Sequence, residues 1–234
     1  MKALLLCLMI PFLASWGFGV TNKGKNPDIG SYEEILNKHN AIYVGKKENV
    51  YFTFDTGYET GNTSKILDTL KEKNVKATFF VTGHFMKTNK DLIKRMCEEG
   101  HIVGNHTWGH PKISKIGNEK IEEEINKLNN EYEEITGSKM PKYFRPPCGD
   151  FDERSLTKLD EMGYKTVFWS LAYKDWLKDE VKGANYAYDS VMSKIHGGAI
   201  ILLHTVSKDN TDALGKIIDG CREKGYIIAN IDSI

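Results

Sequence analysis

Val50-Tyr51-Phe52-Thr53-Phe54 is an unbroken run of apolar, aromatic and β-branched residues, and Asp55 follows it directly. Such a run is typical of a strand that is buried on both faces, as in a parallel sheet. Six further runs of this kind come later in the chain, at residues 77–81, 102–103, 143–144, 166–169, 199–203 and 226–228. The sequence therefore predicts about seven buried strands.

Segments with helical periodicity separate these runs, and most of them end at a glycine, a common residue just after a helix. They cover residues 63–73, 91–99, 118–135, 153–162, 188–196 and 212–224. Alternating strands and helices predict an α/β fold in one domain, with parallel strands joined by right-handed crossovers. Either an open doubly wound sheet or a closed barrel would satisfy this pattern.

The start of the chain differs from the rest. Lys2 precedes an apolar run from Ala3 to Ala14, which is shorter than a typical membrane span. We expect residues 1–20 to be a secretory signal peptide or an N-terminal anchor, and the polar residues 21–48 to be a linker and capping segment. The functional domain would then cover residues 49–234.

The charges of the chain balance, with 32 lysines and arginines against 32 aspartates and glutamates. This balance gives no indication of nucleic-acid binding, and we expect no nucleic-acid partner.

Ionisable residues follow successive predicted strands. In a β/α barrel the active site lies at the carboxyl ends of the strands. The residues in these positions are Asp55, His84, His106, His110, Arg145, Asp175, Trp176 and His204. Each has a structural explanation on its own, such as a turn for Asp55, a helix cap for Asp175 or a surface position for Arg145. Their shared rim favours a functional site, although His84 is assigned no role.

His106 and His110 are four residues apart. If this segment is helical, both imidazoles lie on one face and reach a single ion. Neutral imidazole is a common ligand for zinc and for neighbouring first-row metals. The pair is therefore a candidate metal site, although such spacing also arises by chance on solvated helices.

Five ordered motifs resemble those of the polysaccharide deacetylases with a NodB homology domain, which form carbohydrate esterase family 4. The motifs are residues 53–55, 106–110, 145–149, 175–176 and 202–204. Residues 53–59, 79–85 and 203–210 are most similar to the delta-lactam-forming N-acetylmuramic acid deacetylases of spore-forming bacteria. The resemblance implies a distorted (β/α)7 barrel.

The resemblance also implies a role for each motif residue in the hydrolysis of an N-acetyl group. Asp55 would be the general base, oriented by Arg145, and His204 the general acid, supported by Asp175. An amide needs both an electrophilic catalyst and a proton for the leaving amine. His106 and His110 would hold a divalent metal, and the sugar pocket would be shaped by Trp176, Leu202 and Gly149.

Thr56 departs from the family pattern, in which most members carry an aspartate that is the third metal ligand. A neutral hydroxyl is a far poorer ligand than a carboxylate, so Thr56 is at best a weak ligand. The lactam-forming subgroup also tends to lack this aspartate. We expect a weakly held or exchangeable cation, with zinc the first choice and cobalt or manganese as alternatives.

The resemblance predicts an enzyme that deacetylates N-acetylmuramic acid in peptidoglycan, as a step towards muramic delta-lactam in the spore cortex. One alternative is an N-acetylglucosamine deacetylase of peptidoglycan or of a chitin-like glycan. Others are a wall-glycan-binding protein without catalytic activity and an amidase or xylan esterase. We expect a monomer whose partner is a peptidoglycan glycan strand. We also expect export to the cell wall, membrane-anchored or extracellular, of a Gram-positive spore-former.

Overall fold

The structure is a computed structural model that describes residues 27–30 and 32–234. The expected leader, residues 1–20, lies outside the described residues. Within them the chain forms eight strands: β1 (Ala41–Ile42), β2 (Asn49–Thr56), β3 (Thr78–Val81), β4 (Ile102–Asn105), β5 (Tyr143–Phe144), β6 (Lys165–Val167), β7 (Ile200–His204) and β8 (Ile227–Ala229).

Eight α-helices lie in the same part of the chain. They are α1 (Tyr32–Lys38), α2 (Thr63–Glu72), α3 (Gly83–Thr88), α4 (Lys90–Glu98), α5 (Asn118–Thr136), α6 (Glu153–Glu161), α7 (Ala184–Met192) and α8 (Lys208–Glu223). None of the helices described is long and apolar enough to cross a membrane.

The sheet is parallel and runs in the order β1-β6-β5-β4-β3-β2-β7. Strand β2 pairs with two further strands: β8 pairs with its first three residues, and β7 pairs with its later ones. The segment after β6 returns to β7, where the Leu202 N–H donates to the Leu171 carbonyl at 2.9 Å. The sheet therefore curls back on itself, and the expected distorted (β/α)7 barrel in a single domain is confirmed.

Side-chain alternation along β2 separates two cores. Val50, Phe52 and Phe54 pack with the helices outside the sheet, whereas Tyr51 belongs to the cluster on the inner side. In helix α2, three-residue and four-residue steps bury one face against the outer core, with Ile66 and Leu70 fully buried. The barrel is thus packed on both sides of the sheet, which makes the strand ends a rigid rim.

The segment before β2 carries structure that the sequence patterns did not indicate. Helix α1 leads into β1, which adds an edge to the sheet with Ala41 opposite Thr166 and Ile42 opposite Val167. This two-residue strand was missed because it has no run of its own, and its register depends on β6.

Helix α8 begins at Lys208, one turn earlier than the periodicity predicts. Ser207 caps it, because its hydroxyl accepts a hydrogen bond from the Asn210 N–H at 3.2 Å. Helix α7 also begins earlier, at Ala184, where the Asp209 carboxylate accepts the preceding Lys182 and Gly183 N–H groups. These caps set the loops that follow β6 and β7.

Candidate active site

The predicted site residues meet at the carboxyl ends of the strands. Asp55 is the penultimate residue of β2 and lies opposite His204, the last residue of β7. His106 directly follows β4, and Arg145 directly follows β5. Four strands therefore deliver a base, an acid, an imidazole pair and a guanidinium to one rim, as the parallel topology requires.

Arg145 is fully buried, so the surface position considered for it is excluded. Its guanidinium donates to Asp55 Oδ1 at 2.9 Å and to the Thr53 hydroxyl at 2.8 Å. It also donates to the backbone carbonyls of Val167, the last residue of β6, and of Phe168, and it lies 4.2 Å from the centre of the Phe80 ring. This network fixes the guanidinium and presents one charged edge to Asp55.

Asp55 is 9% exposed, and its two carboxylate oxygens have different neighbours. Arg145 contacts Oδ1, and His106 Nε2 lies 3.4 Å from Oδ2. Burial alone would raise the pKa of Asp55, but the neighbouring His106, Arg145 and His204 outweigh it and lower the pKa below its usual value. Asp55 is therefore ionised at neutral pH and can accept a proton.

The His106–His110 segment is not helical, and that part of the sequence interpretation is wrong. Thr107 and His110 adopt left-handed backbone conformations, with φ values of 65° and 57°. A tight turn results, in which the His110 N–H donates to the Thr107 hydroxyl at 2.9 Å. The turn still brings the two rings together, with centroids 4.8 Å apart. A turn after β4, and not one turn of helix, therefore places the two imidazoles side by side.

The protonation of the two imidazoles suits metal binding. His106 Nδ1 lies 2.7 Å from the Arg145 carbonyl oxygen, which can only accept a hydrogen bond, so Nδ1 carries the proton. The lone pair of Nε2 can then bind a metal ion. Burial lowers the pKa of His106, and burial together with His106 lowers the pKa of His110 to about 3. Both rings are neutral at neutral pH, as imidazole ligands must be.

The remainder of a metal site is sparse. Among residues 27–30 and 32–234, no three histidine, cysteine, aspartate or glutamate side chains are grouped so that they could hold a metal ion. The Thr56 hydroxyl is buried without a hydrogen-bond partner. The two neutral imidazoles therefore fit a cation that would take its other ligands from water or substrate. Thr56 as a further, weak ligand stays a prediction.

His204 and Asp175 form a hydrogen-bonded pair. His204 Nδ1 lies 2.7 Å from Asp175 Oδ1, and the His204 backbone N–H donates to Oδ2 at 2.8 Å. Burial lowers the pKa of His204, but Asp175 outweighs it and the net effect raises the pKa. Since 23% of the His204 side chain remains exposed, its Nε2 is available to a substrate as a proton donor.

The predicted sugar-pocket residues occupy different surroundings. Trp176 is 42% exposed, and its ring lies 5.7 Å from that of His204. Leu202 is buried opposite Thr53 on the inner side of the sheet. Gly149 has a φ of 65°, and a Cβ there would lie 2.9 Å from the Trp169 ring, so close packing already accounts for this glycine.

Several residues that hold the site were not singled out from the sequence. The Thr53 hydroxyl accepts from Arg145 and donates to the Ile201 carbonyl, and the buried Glu124 carboxylate accepts the Gly109 N–H at 2.5 Å. Asn210 contacts Asp175. Thr53 and Asn210 lie inside the quoted motif stretches, but an ordinary hydroxyl or amide carries no sequence signal of such a role.

Comparison with known proteins gives a consistent result. A family model described as polysaccharide deacetylase matches residues 43–167, just over half of the chain. The chain is 44% identical to the peptidoglycan-N-acetylmuramic acid deacetylase PdaA of Bacillus subtilis, over 94% of this chain and 85% of that protein. The solved structure of PdaA, a family 4 carbohydrate esterase, matches with a TM-score of 0.90 over 93% of this chain and 94% of that one.

Two other relatives are less similar to this chain than PdaA. A peptidoglycan-N-acetylglucosamine deacetylase of Bacillus cereus is 34% identical over 90% of this chain and 78% of that protein. A family 4 pseudoenzyme from Bacillus anthracis is 32% identical, with a TM-score of 0.75 over 82% of this chain and 68% of that one. Enzymes of this family are metal-dependent in general. The fold, the ordered motifs and these matches show that the chain belongs to the polysaccharide deacetylases of carbohydrate esterase family 4.

Proposed function

We propose that this protein hydrolyses N-acetyl groups of peptidoglycan, and that its substrate is N-acetylmuramic acid. The observation that carries the proposal is the pairing of Asp55 with His204 across two adjacent strands, each with its own orienting partner. A lowered carboxyl pKa and a raised imidazole pKa give one ionised base and one protonated acid at the same pH.

Asp55 takes the proton of the attacking water. Water adds its oxygen to the acetyl carbon, and the charge that develops on the carbonyl oxygen needs an electrophilic partner. A divalent cation at His106 and His110 would polarise this carbonyl and the water. Arg145 keeps Asp55 ionised and binds its Oδ1, which leaves Oδ2 to accept the proton of the water.

His204 supplies the proton that the departing nitrogen needs. The carbon–nitrogen bond breaks, acetate leaves with the oxygen of the water, and the sugar nitrogen takes the proton from His204 Nε2 to leave as an amine. Asp175 holds Nδ1 and stabilises the imidazolium before transfer. Trp176, beside His204 and 42% exposed, would offer an aromatic surface to the sugar ring.

The choice of N-acetylmuramic acid is supported by the greater similarity to PdaA than to the glucosamine-specific relative. The freed amine would attack the lactyl carboxyl of the same sugar, with loss of water, and give the muramic delta-lactam. We further propose zinc as the cation, export through the leader at residues 1–20, and action at the cell wall during spore cortex formation.

A second candidate is a wall-glycan-binding protein without activity. Thr56, in place of the usual aspartate ligand, favours it, and a family 4 pseudoenzyme is among the relatives. The retained site argues against it, because glycan binding does not require a buried base, an acid and an orienting partner for each.

The product identifies the reaction. Purified protein with added zinc is incubated with peptidoglycan whose muramic acid bears no peptide, and the digested glycan is analysed by mass spectrometry. We expect muramic amine or its delta-lactam from wild type and neither from Asp55→Asn. If glucosamine residues with a free amine appear instead, the substrate is N-acetylglucosamine and not N-acetylmuramic acid. Glycan binding without any deacetylated product would favour the second candidate.

A further inference from the structure

Asn210 is buried, with 1% exposure, in the first turn of α8. Its backbone N–H is bound to the capping Ser207, so the position of its side chain is set by the helix start. Its side-chain nitrogen lies 2.5 Å from Asp175 Oδ2 and 3.5 Å from the His204 carbonyl. Its side-chain oxygen is hydrogen-bonded to the Tyr173 hydroxyl.

We propose that Asn210, oriented by Tyr173, is a positioning residue that fixes the Asp175 carboxylate and, through it, the tautomer and direction of His204. This inference rests on the proposed function, in which His204 is the general acid. Neither Asn210 nor Tyr173 belongs to the five motifs, so the sequence pattern assigns no role to them. In the proposed reaction neither residue contacts the reacting groups directly.

The direction of each hydrogen bond follows from what its groups can do. A carboxylate only accepts, so the Asn210 amide turns its NH₂ towards Asp175 and its oxygen towards Tyr173. Burial, followed by the charges of Asp175 and Asp209, raises the pKa of Tyr173, so its hydroxyl keeps the proton that it donates. The chain therefore runs from Tyr173 through Asn210 and Asp175 to His204 Nδ1.

This chain holds the carboxylate at both oxygens. Oδ1 receives His204 Nδ1, and Oδ2 receives the His204 backbone N–H together with the Asn210 amide. Without the amide, Oδ2 keeps one bond, to the same residue that it is meant to orient. Asn210 thus binds Asp175 from a different element, α8, in addition to the two bonds that come from His204 itself.

The test compares Asn210→Leu, which keeps the size of the side chain but not its polar atoms, with Tyr173→Phe, which removes only the hydroxyl. Thr211→Val is the matched control, since Thr211 is also buried in the first turn of α8 but bonds to the Ser207 carbonyl and not to Asp175. For each variant, the pKa of the His204 imidazole is measured by NMR, with kcat, KM and the pH profile of deacetylation.

We expect Asn210→Leu to lower the pKa of His204 towards its ordinary value and to lower kcat by about tenfold to hundredfold, as loss of an orienting partner does. KM is expected to stay unchanged, and the alkaline limb of the profile to move to lower pH. Tyr173→Phe should shift both quantities in the same direction by less, and Thr211→Val should shift neither.

An unchanged pKa of His204 and an unchanged kcat in folded Asn210→Leu would overturn the proposal. If Asn210→Leu does not fold, Tyr173→Phe decides by the same two measurements, because it leaves the amide in place. The NMR titration needs no turnover. If wild type releases no acetate from glycan, the proposed function fails, while the role of Asn210 is still decided by the titration.

Discussion

Replacement of Arg145 by methionine tests how the buried site is held together. The substitution keeps an unbranched apolar stem and removes the guanidinium, which donates to Asp55, to Thr53 and to the carbonyls of Val167 and Phe168. Asp55 then remains buried beside His106 without its cation. The substitution therefore tests the contribution of the Arg145 charge, because methionine still fills much of the volume of the arginine side chain.

The magnitude follows from the burial of both partners. Removal of one partner of a buried ion pair costs about 3–5 kcal/mol, because the other charge is left uncompensated. A domain has an unfolding free energy of about 5–15 kcal/mol, so Arg145→Met is expected to be severely destabilised. The double variant Asp55→Asn/Arg145→Met leaves no unpaired charge in the pair, and we expect it to be more stable than Arg145→Met.

The assay is urea unfolding of wild type, the two single variants and the double variant, with a chelator present throughout. Since the pKa of Asp55 is lowered in the folded wild type, the pair contributes stability above the ordinary carboxyl pKa, and this is lost as the pH falls through the lowered pKa. In Arg145→Met the cation is gone and the pKa of Asp55 rises. The difference between the two proteins should therefore be larger near neutral pH than in acid.

A loss of less than about 1 kcal/mol in Arg145→Met, the value of an exposed pair, would show that Arg145 does not stabilise a buried charge on Asp55. So would a double variant whose loss of stability relative to wild type equals the sum of the losses of the two single variants, because independent sites behave in that way.

Three further substitutions probe the rest of the site. Asp175→Asn removes the charge that raises the pKa of His204, so the alkaline limb of the pH–rate profile should move to lower pH; an unmoved limb would contradict that assignment. Thr56→Asp adds a carboxylate ligand and should tighten zinc binding, measured by calorimetry, whereas equal affinity would show that this position is not part of the metal site. Glu124→Gln weakens the acceptor for the Gly109 N–H and should lower the free energy of unfolding in urea by on the order of 1 kcal/mol. An unchanged free energy of unfolding would show that this hydrogen bond does not stabilise the fold.

The strands of the barrel could be predicted from the sequence because burial on both faces demands long apolar runs. The run at residues 50–54 becomes β2, in which all eight residues are buried. The edge strand Ala41–Ile42 and the closing contact at Leu171 could not be predicted in the same way. Both depend on backbone hydrogen bonds, and these leave no pattern in the side chains.

The site residues could be located because parallel strands place their carboxyl ends on one rim. The local shape of the histidine segment could not, because Thr107 is a β-branched residue at positive φ, a conformation that such residues rarely adopt. The turn depends on the hydrogen bond from the Thr107 N–H to Asn105 and on Glu124 from helix α5. Those contacts come from tertiary packing and not from local preference.

The supporting residues were the least predictable. Asn210 lies in the first turn of a helix, where an amide is ordinary, and its contact with Asp175 spans 35 positions in the chain. Its importance in the structure comes from where the loop after β6 meets the start of α8. Sequence patterns therefore located the acid and the base, and the structure supplied what holds them.

Acetate release from peptidoglycan that bears stem-free N-acetylmuramic acid shows whether the protein is a deacetylase that uses Asp55 as base and His204 as acid. Wild type, Asp55→Asn and His204→Ala are compared with zinc present, after circular dichroism has shown equal folding. We expect wild type to release acetate in an amount equal to the sum of free amine and delta-lactam, and the two variants to form none of these products. Equal release by all three proteins would contradict the assignment of Asp55 and His204 as base and acid, and no release by wild type would contradict the proposed reaction.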